Sequence, residues 1–137
     1  MGTWDIGHFD NDSAADFGGA LGDLPRHERP GLIRAQFLAV IGTGEEFLDS
    51  DEAATALAAA ALVAAQCPGG DPVTTAYGPD EPLPELPLDL RPLAVQALDR
   101  ILGPDSELVE LWEESADGGL WRDGVLRLRG TIAAATS

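Results

Sequence analysis

Between Ala53 and Ala65 the chain runs for 13 residues containing nine alanines, two leucines, one valine and nothing more polar than Thr55. A helix that is apolar on every side has to be covered on every side. The run is too short to cross a bilayer, which takes about 20 residues, so the cover must come from the protein itself. The pattern predicts a buried helix over Glu52–Gln66, with alanines that let neighbouring backbones approach closely. Asp49, Asp51 and Glu52 supply a cap and carboxylates at its positive end. The chain of 137 residues is the size of one ordinary domain. The expected fold is therefore all-α: one compact domain over 1–137, five to six short helices around an alanine-rich central helix.

The covering elements carry their own signals. A first helix should begin at Asp12 or Ser13, where Ser13 and Asp16 have capping-box spacing, and should bury Phe17, Leu21 and Leu24. Gly18 and Gly19 weaken it, which implies close packing at that point. A second helix should span Glu28–Ile41, with Pro30 in its first turn, Gly42 at its end and a stripe of Ile33, Phe37, Val40 and Ile41. A fourth should run from Leu90 to Leu102 and stop at Gly103-Pro104. A short fifth, capped by Ser106-Glu107 and ending near Ser115, should turn Leu108, Leu111 and Trp112 inward.

Three stretches are less regular. Residues 1–11 form an arm whose Trp4, Ile6 and Phe9 should lie against the core. Residues 67–89 hold six prolines and three glycines, which forbid regular structure and suggest a strap with the leucines of Leu83-Pro84 and Leu86-Pro87 on the core. In the last segment Trp121, Val125, Leu128 and Ile132 fit a helical stripe, while Leu126-Arg127-Leu128-Arg129 alternates like an edge strand. The pattern by itself leaves both readings open.

Charge narrows the function. Twenty-four Asp and Glu oppose eight basic residues, all of them arginine, for a formal net charge of −16. A field this negative repels phosphate backbones and anionic headgroups, so neither nucleic acid nor membrane is an expected partner. A basic protein or a divalent cation is compatible with it. The lone Cys67 cannot form an internal disulfide, and Met1–Asp12 carries neither an apolar run nor a basic cluster. The chain is accordingly expected in the cytoplasm, and its arginine, alanine and proline usage suggests a G+C-rich bacterial source.

Candidate chemistry concentrates in His8, Asp10, Asn11, Asp12 and Asp16. Three carboxylates and an imidazole within nine residues suit a hard cation, with Asp10, Asp12 and Asp16 as the metal-ligand candidates. The spacing matches no established metal signature: counted from Asp10 as an EF-hand loop, the glycine and glutamate places hold Ala15 and Leu21. Asp and Asn before a helix are also ordinary caps, which is the simpler reading. Glu110 and Glu113 would extend the cluster into a carboxylate-rich cleft if the fold brought them together; otherwise they are a solvated helix face. His27 should be exposed. Cys67 has no basic side chain near it in sequence and so lacks the setting of a reactive thiolate. No nucleophile elbow, phosphate-binding loop or zinc motif occurs, and no cofactor is expected.

Gly2-Thr3-Trp4, then Phe9-Asp10-Asn11-Asp12, Ala14 or Ala15 and Asp16-Phe17, resembles the opening of a bacterial family of unknown function, family four-two-five-nine. Phe47-Leu48 with Glu52-Ala53 and the alanine-rich helix also match, as do Ser106-Glu107-Leu108 and Leu111-Trp112-Glu113-Glu114. The chain departs from it at Asp5, where the family often has glycine, and at Phe17, where it often has tryptophan. The resemblance implies an all-helical domain and favours a helix for the last segment; it brings no activity or catalytic residue. The expected function is a non-enzymatic interaction module, inhibitor- or immunity-like, offering an acidic face to a basic protein. The alternative is a metal-dependent or small-molecule-binding enzyme built on the His8/Asp cluster. Oligomeric state is left open.

Overall fold

The computed structural model describes residues 12–43, 46–67, 86–103, 106–114 and 118–136, with backbone alone at 12–15, 26 and 136. Six α-helices run through them: α1 (Asp12–Asp23), α2 (Arg29–Ile41), α3 (Ser50–Ala65), α4 (Leu90–Leu102), α5 (Glu107–Glu113) and α6 (Gly118–Thr136). A 3₁₀ turn, Arg26–Glu28, precedes α2. The architecture is all-α. Among the described residues β pairing is limited to one isolated parallel bridge, Leu48 to Ser106.

The alanine-rich helix occupies the centre: α3 packs against α1, α2, α4, α5 and α6. Ala53, Ala56, Ala58, Ala59 and Ala60 have no exposed surface. Its start is fixed by Asp49, whose carboxylate accepts the Asp51 N–H at 2.8 Å. In α2, Ile33, Phe37 and Val40 are fully buried and Ile41 partly so. Phe17 and Leu21 of α1 are buried, as are Ala94, Ala97, Leu98 and Ile101 of α4. Burying each such leucine or isoleucine contributes about 1.5–3 kcal/mol before the cost of ordering the chain.

The last segment is helical, with Trp121, Val125, Leu128 and Ile132 buried and Leu126 exposed. Its 3.6-residue stripe overrides the local alternation because the stripe alone covers α3 and α4. Trp121 stacks on Trp112 with ring centroids 5.7 Å apart and planes 5° from parallel, which locks α6 to α5. The arm and residues 68–85 of the strap lie outside the described residues. At the strap's far end Leu86 is buried, and its N–H donates to the Gln66 side-chain oxygen at 2.8 Å, tying residue 86 to the end of α3.

Three local expectations need correction. Leu111 faces out, 48% exposed, and Val109 takes the inward place. At roughly 100° per residue, Leu108, Val109 and Trp112 share one arc and Leu111 lies outside it. Ser106 stands at the start of α5, but its side chain makes no capping bond. Gly18 is buried as anticipated, yet nothing lies within 4 Å of where a Cβ on Gly19 would sit.

The glycines at the start of α6 are not equivalent. A Cβ on Gly118 would collide with the Trp112 carbonyl oxygen, whereas one on Gly119 would meet nothing within 4 Å. Gly118→Ala is therefore expected to lower stability by about 1–3 kcal/mol through a backbone clash. Gly119→Ala should raise it by about 1 kcal/mol through helix propensity. Urea denaturation of the two variants checks the contrast, which equal shifts would refute.

Candidate functional site

Of the sequence candidates, Asp16, Glu110 and Glu113 have described side chains. His8, Asp10 and Asn11, with the side chain of Asp12, fall outside the described residues. Asp16 is exposed on α1, and Glu110 and Glu113 are exposed on α5. Helices α1 and α5 each pack on α3 and have no extended contact with one another. Among the described residues no three His, Cys, Asp or Glu side chains are grouped closely enough to hold a metal ion. No described helix is long and apolar enough to cross a membrane. His27 is exposed in the 3₁₀ turn.

Cys67 is buried, and its Sγ donates to the Val63 carbonyl at 3.4 Å. Burial pushes its thiol above the usual range, with a smaller opposing pull from Arg91. The fold thus supplies a cation that sequence proximity does not, and burial still outweighs it. Cys67 is a packing residue.

The cations themselves are the informative group. Arg29 is buried at the start of α2, and its guanidinium donates to the carbonyls of Leu24 at 3.1 Å and Gly22 at 3.4 Å, closing the end of α1. Arg34 of α2 grips both Asp89 carboxylate oxygens at 2.7 Å, just before α4. Arg91 of α4 donates to the Ala135 carbonyl of α6 at 3.3 Å, and Arg100 of α4 to the Glu46 carbonyl. Arg122 of α6 meets Glu113 of α5 at 3.2 Å, and Arg129 of α6 takes both oxygens of Asp99 on α4 at 2.6 and 3.2 Å. Asp99 accordingly raises the Arg129 pKa. Six of the seven arginines with described side chains therefore clasp one element to another; Arg127 faces solvent. Exposed pairs of this kind are worth about 0–1 kcal/mol each, so their main effect is on helix placement and on where charge remains.

What remains outside is carboxylate. Asp16, Asp23, Glu28, Glu46, Asp51, Glu52, Glu110, Glu114 and Asp123 are all exposed. On α5 the outward arc reads Glu107, Glu110, Leu111 and Glu114, opposite the buried Leu108, Val109 and Trp112. This face is held rigidly at its first residue. The Glu107 N–H donates to the Leu48 carbonyl at 3.0 Å, and the Glu107 carboxylate accepts the Ser50 N–H at 3.0 Å. The second bond satisfies a first-turn donor of α3, so a residue of α5 caps α3 from across the fold. Neither partner lies within 50 residues of the other in sequence, which is why local capping rules miss it.

The Ser50 hydrogen bond holds the Glu107 carboxyl below the usual glutamate range. A depressed carboxyl pKa stabilises the fold above the unfolded-state value, and that contribution disappears as pH falls through the folded value. Glu107→Ala should therefore melt below the wild type at neutral pH, with the gap closing upon acidification below the ordinary glutamate range; a gap independent of pH would refute the bond. Beside it, the Ser106 hydroxyl is buried and has no hydrogen-bond partner. Ser106→Ala should leave stability unchanged or raise it by about 1 kcal/mol, instead of the loss of about 1 kcal/mol usual for a capping serine. Calorimetric melting separates these outcomes.

Comparison with known proteins adds the family. A family model described as a domain of unknown function (DUF4259) matches residues 2–124. Searches of curated proteins and of solved structures each returned no match. The chain belongs to that family.

Proposed function

We propose that this family member works in the bacterial cytoplasm as a non-enzymatic interaction module, inhibitor- or immunity-like, that docks a basic protein through its carboxylate surface. The observation that carries this reading is the internal use of the arginines. Six guanidiniums are turned onto acceptors between segments, three on backbone carbonyls and three on the carboxylates of Asp89, Glu113 and Asp99. The net charge is −16, and among the described residues exposed carboxylates outnumber arginines.

Such a surface attracts a cationic partner over about a Debye length, roughly 8 Å at physiological salt. Steering of this kind raises association rates by about 10- to 1,000-fold and fades with ionic strength. A free buried thiol at Cys67 suits a reducing compartment.

Pull-down from the source cell at low salt, with partners identified by mass spectrometry and remeasured singly, should yield a basic protein. Its association rate constant should fall about tenfold or more between low and high salt while dissociation changes little. Recovery of no partner with that salt response would sink the proposal.

A further inference from the structure

We infer that the outward face of α6 is a self-association surface, on which a second copy of this chain docks its own α6 antiparallel, with Asp123 of each copy against Arg127 of the other. The inference goes beyond the acidic-module reading and does not rest on it. All the residues it uses lie on one helix, so their relative placement follows from helical geometry alone. At roughly 100° per residue, Gly119, Leu120, Asp123, Leu126, Arg127 and Gly130 fall within an arc of about 120°. Every one of them is exposed, opposite the buried Trp121, Val125, Leu128 and Ile132.

Three features of that arc serve no contact among the described residues. Leu120 is 59% exposed and Leu126 48%. A Cβ on Gly130 would meet nothing within 4 Å, so no neighbour calls for a glycine there, although it costs a helix interior about 1 kcal/mol against alanine. Arg127 is the arginine left facing solvent when the other described guanidiniums are turned onto neighbouring segments.

The arc is complementary to itself under a two-fold axis. Asp123 and Arg127 stand equally far to either side of Val125, and so do Leu120 and Gly130. Two α6 helices laid antiparallel and centred at Val125 therefore bring Asp123 of each level with Arg127 of the other, and Leu120 level with Gly130. The two copies of Leu126 meet beside the axis. Both ion pairs form together, and the missing side chain at Gly130 leaves room for the facing Leu120.

Charge favours this occupant over a basic protein at this face. The arc carries one carboxylate and one guanidinium, so a basic partner would meet Arg127 while a second copy pairs both groups. The remaining charge of each copy, −16 in total, still repels through solvent, and salt screens that repulsion. Salt should therefore strengthen the dimer, the reverse of its effect on a basic partner. The face of one such helix is roughly 28 Å by 10 Å, small beside the about 800 Å² per partner of a standard interface, so the association is weak and reversible.

Sedimentation velocity of the full chain over a concentration series tests this. A monomer–dimer equilibrium that tightens from low to high salt is expected. Asp123→Arg and Arg127→Asp, each alone, set like charges opposite one another and should weaken the dimer about tenfold or more. Mixing the two variants should restore it, because unlike charges then meet at both places. Leu126→Ser should weaken it in either background, and circular dichroism confirms that each variant remains folded. A chain that is monomeric at about 1 mM in high salt overturns the inference, as does a dimer indifferent to the single charge changes or a mixture that fails to associate. None of these results bears on the capture of a basic protein, which is judged by its own salt response.

Discussion

Everything in this fold follows from the need to hide α3. A helix whose alanines at 53, 56, 58, 59 and 60 have no exposed surface cannot lie at an edge, so α1, α2, α4, α5 and α6 must all reach it. Alanine makes this feasible: it adds little bulk, so surrounding helices seat close to the central backbone. Each neighbour then needs only one apolar stripe. The opposite sides of the outer helices are under no such constraint.

A chain with eight basic residues against twenty-four acidic ones has few counter-charges to distribute, and it distributes them between helices. Arg34 and Asp89 join α2 to the start of α4, Arg122 and Glu113 join α6 to α5, and Arg129 and Asp99 join α6 to α4. Arg29 and Arg91 reach backbone carbonyls that α-helices leave open at their ends, and Arg100 reaches the Glu46 carbonyl in the loop before α3. Lysine, a compact and strongly hydrated charge, is less suited to such bridging. The all-arginine composition is thus consistent with how the cations are used. The cost is self-repulsion among the exposed carboxylates, which the burial of α3 has to offset.

Much of this was legible residue by residue. Pro30, Asp49, Gly42 and Gly103 mark helix limits within one or two residues, because caps and breakers act on the adjacent backbone. The stripe of α6 was legible as well, although Leu126 to Arg129 also alternates; choosing between them required knowing which face α3 and α4 demand. The phase of α5 was not legible. Seven residues make two turns, and whether Leu111 or Val109 turns inward depends on how Trp112 meets Trp121. The Glu107 cap on Ser50 and the Arg91 charge beside Cys67 escaped for the same reason: both are contacts between distant segments. Of the site candidates, Glu110 and Glu113 were rightly placed on a solvated helix, but nothing local signals that Glu113 is held by Arg122 or that Leu111 sits exposed among glutamates.

The same separation bears on why the surface is so acidic. Carboxylates that hold the fold are found opposite arginines, as Asp89, Asp99 and Glu113 are, or on the first N–H groups of α3, as Asp49 and Glu107 are. Glu110 and Glu114 instead surround an exposed leucine on a helix whose buried side is already secured by Trp112, Val109 and Leu108. An apolar side chain in water gains nothing from anionic neighbours within the monomer, and each added carboxylate raises the repulsion felt by the rest. Net charge keeps a small protein dispersed wherever it is placed, so solubility alone does not require that arrangement.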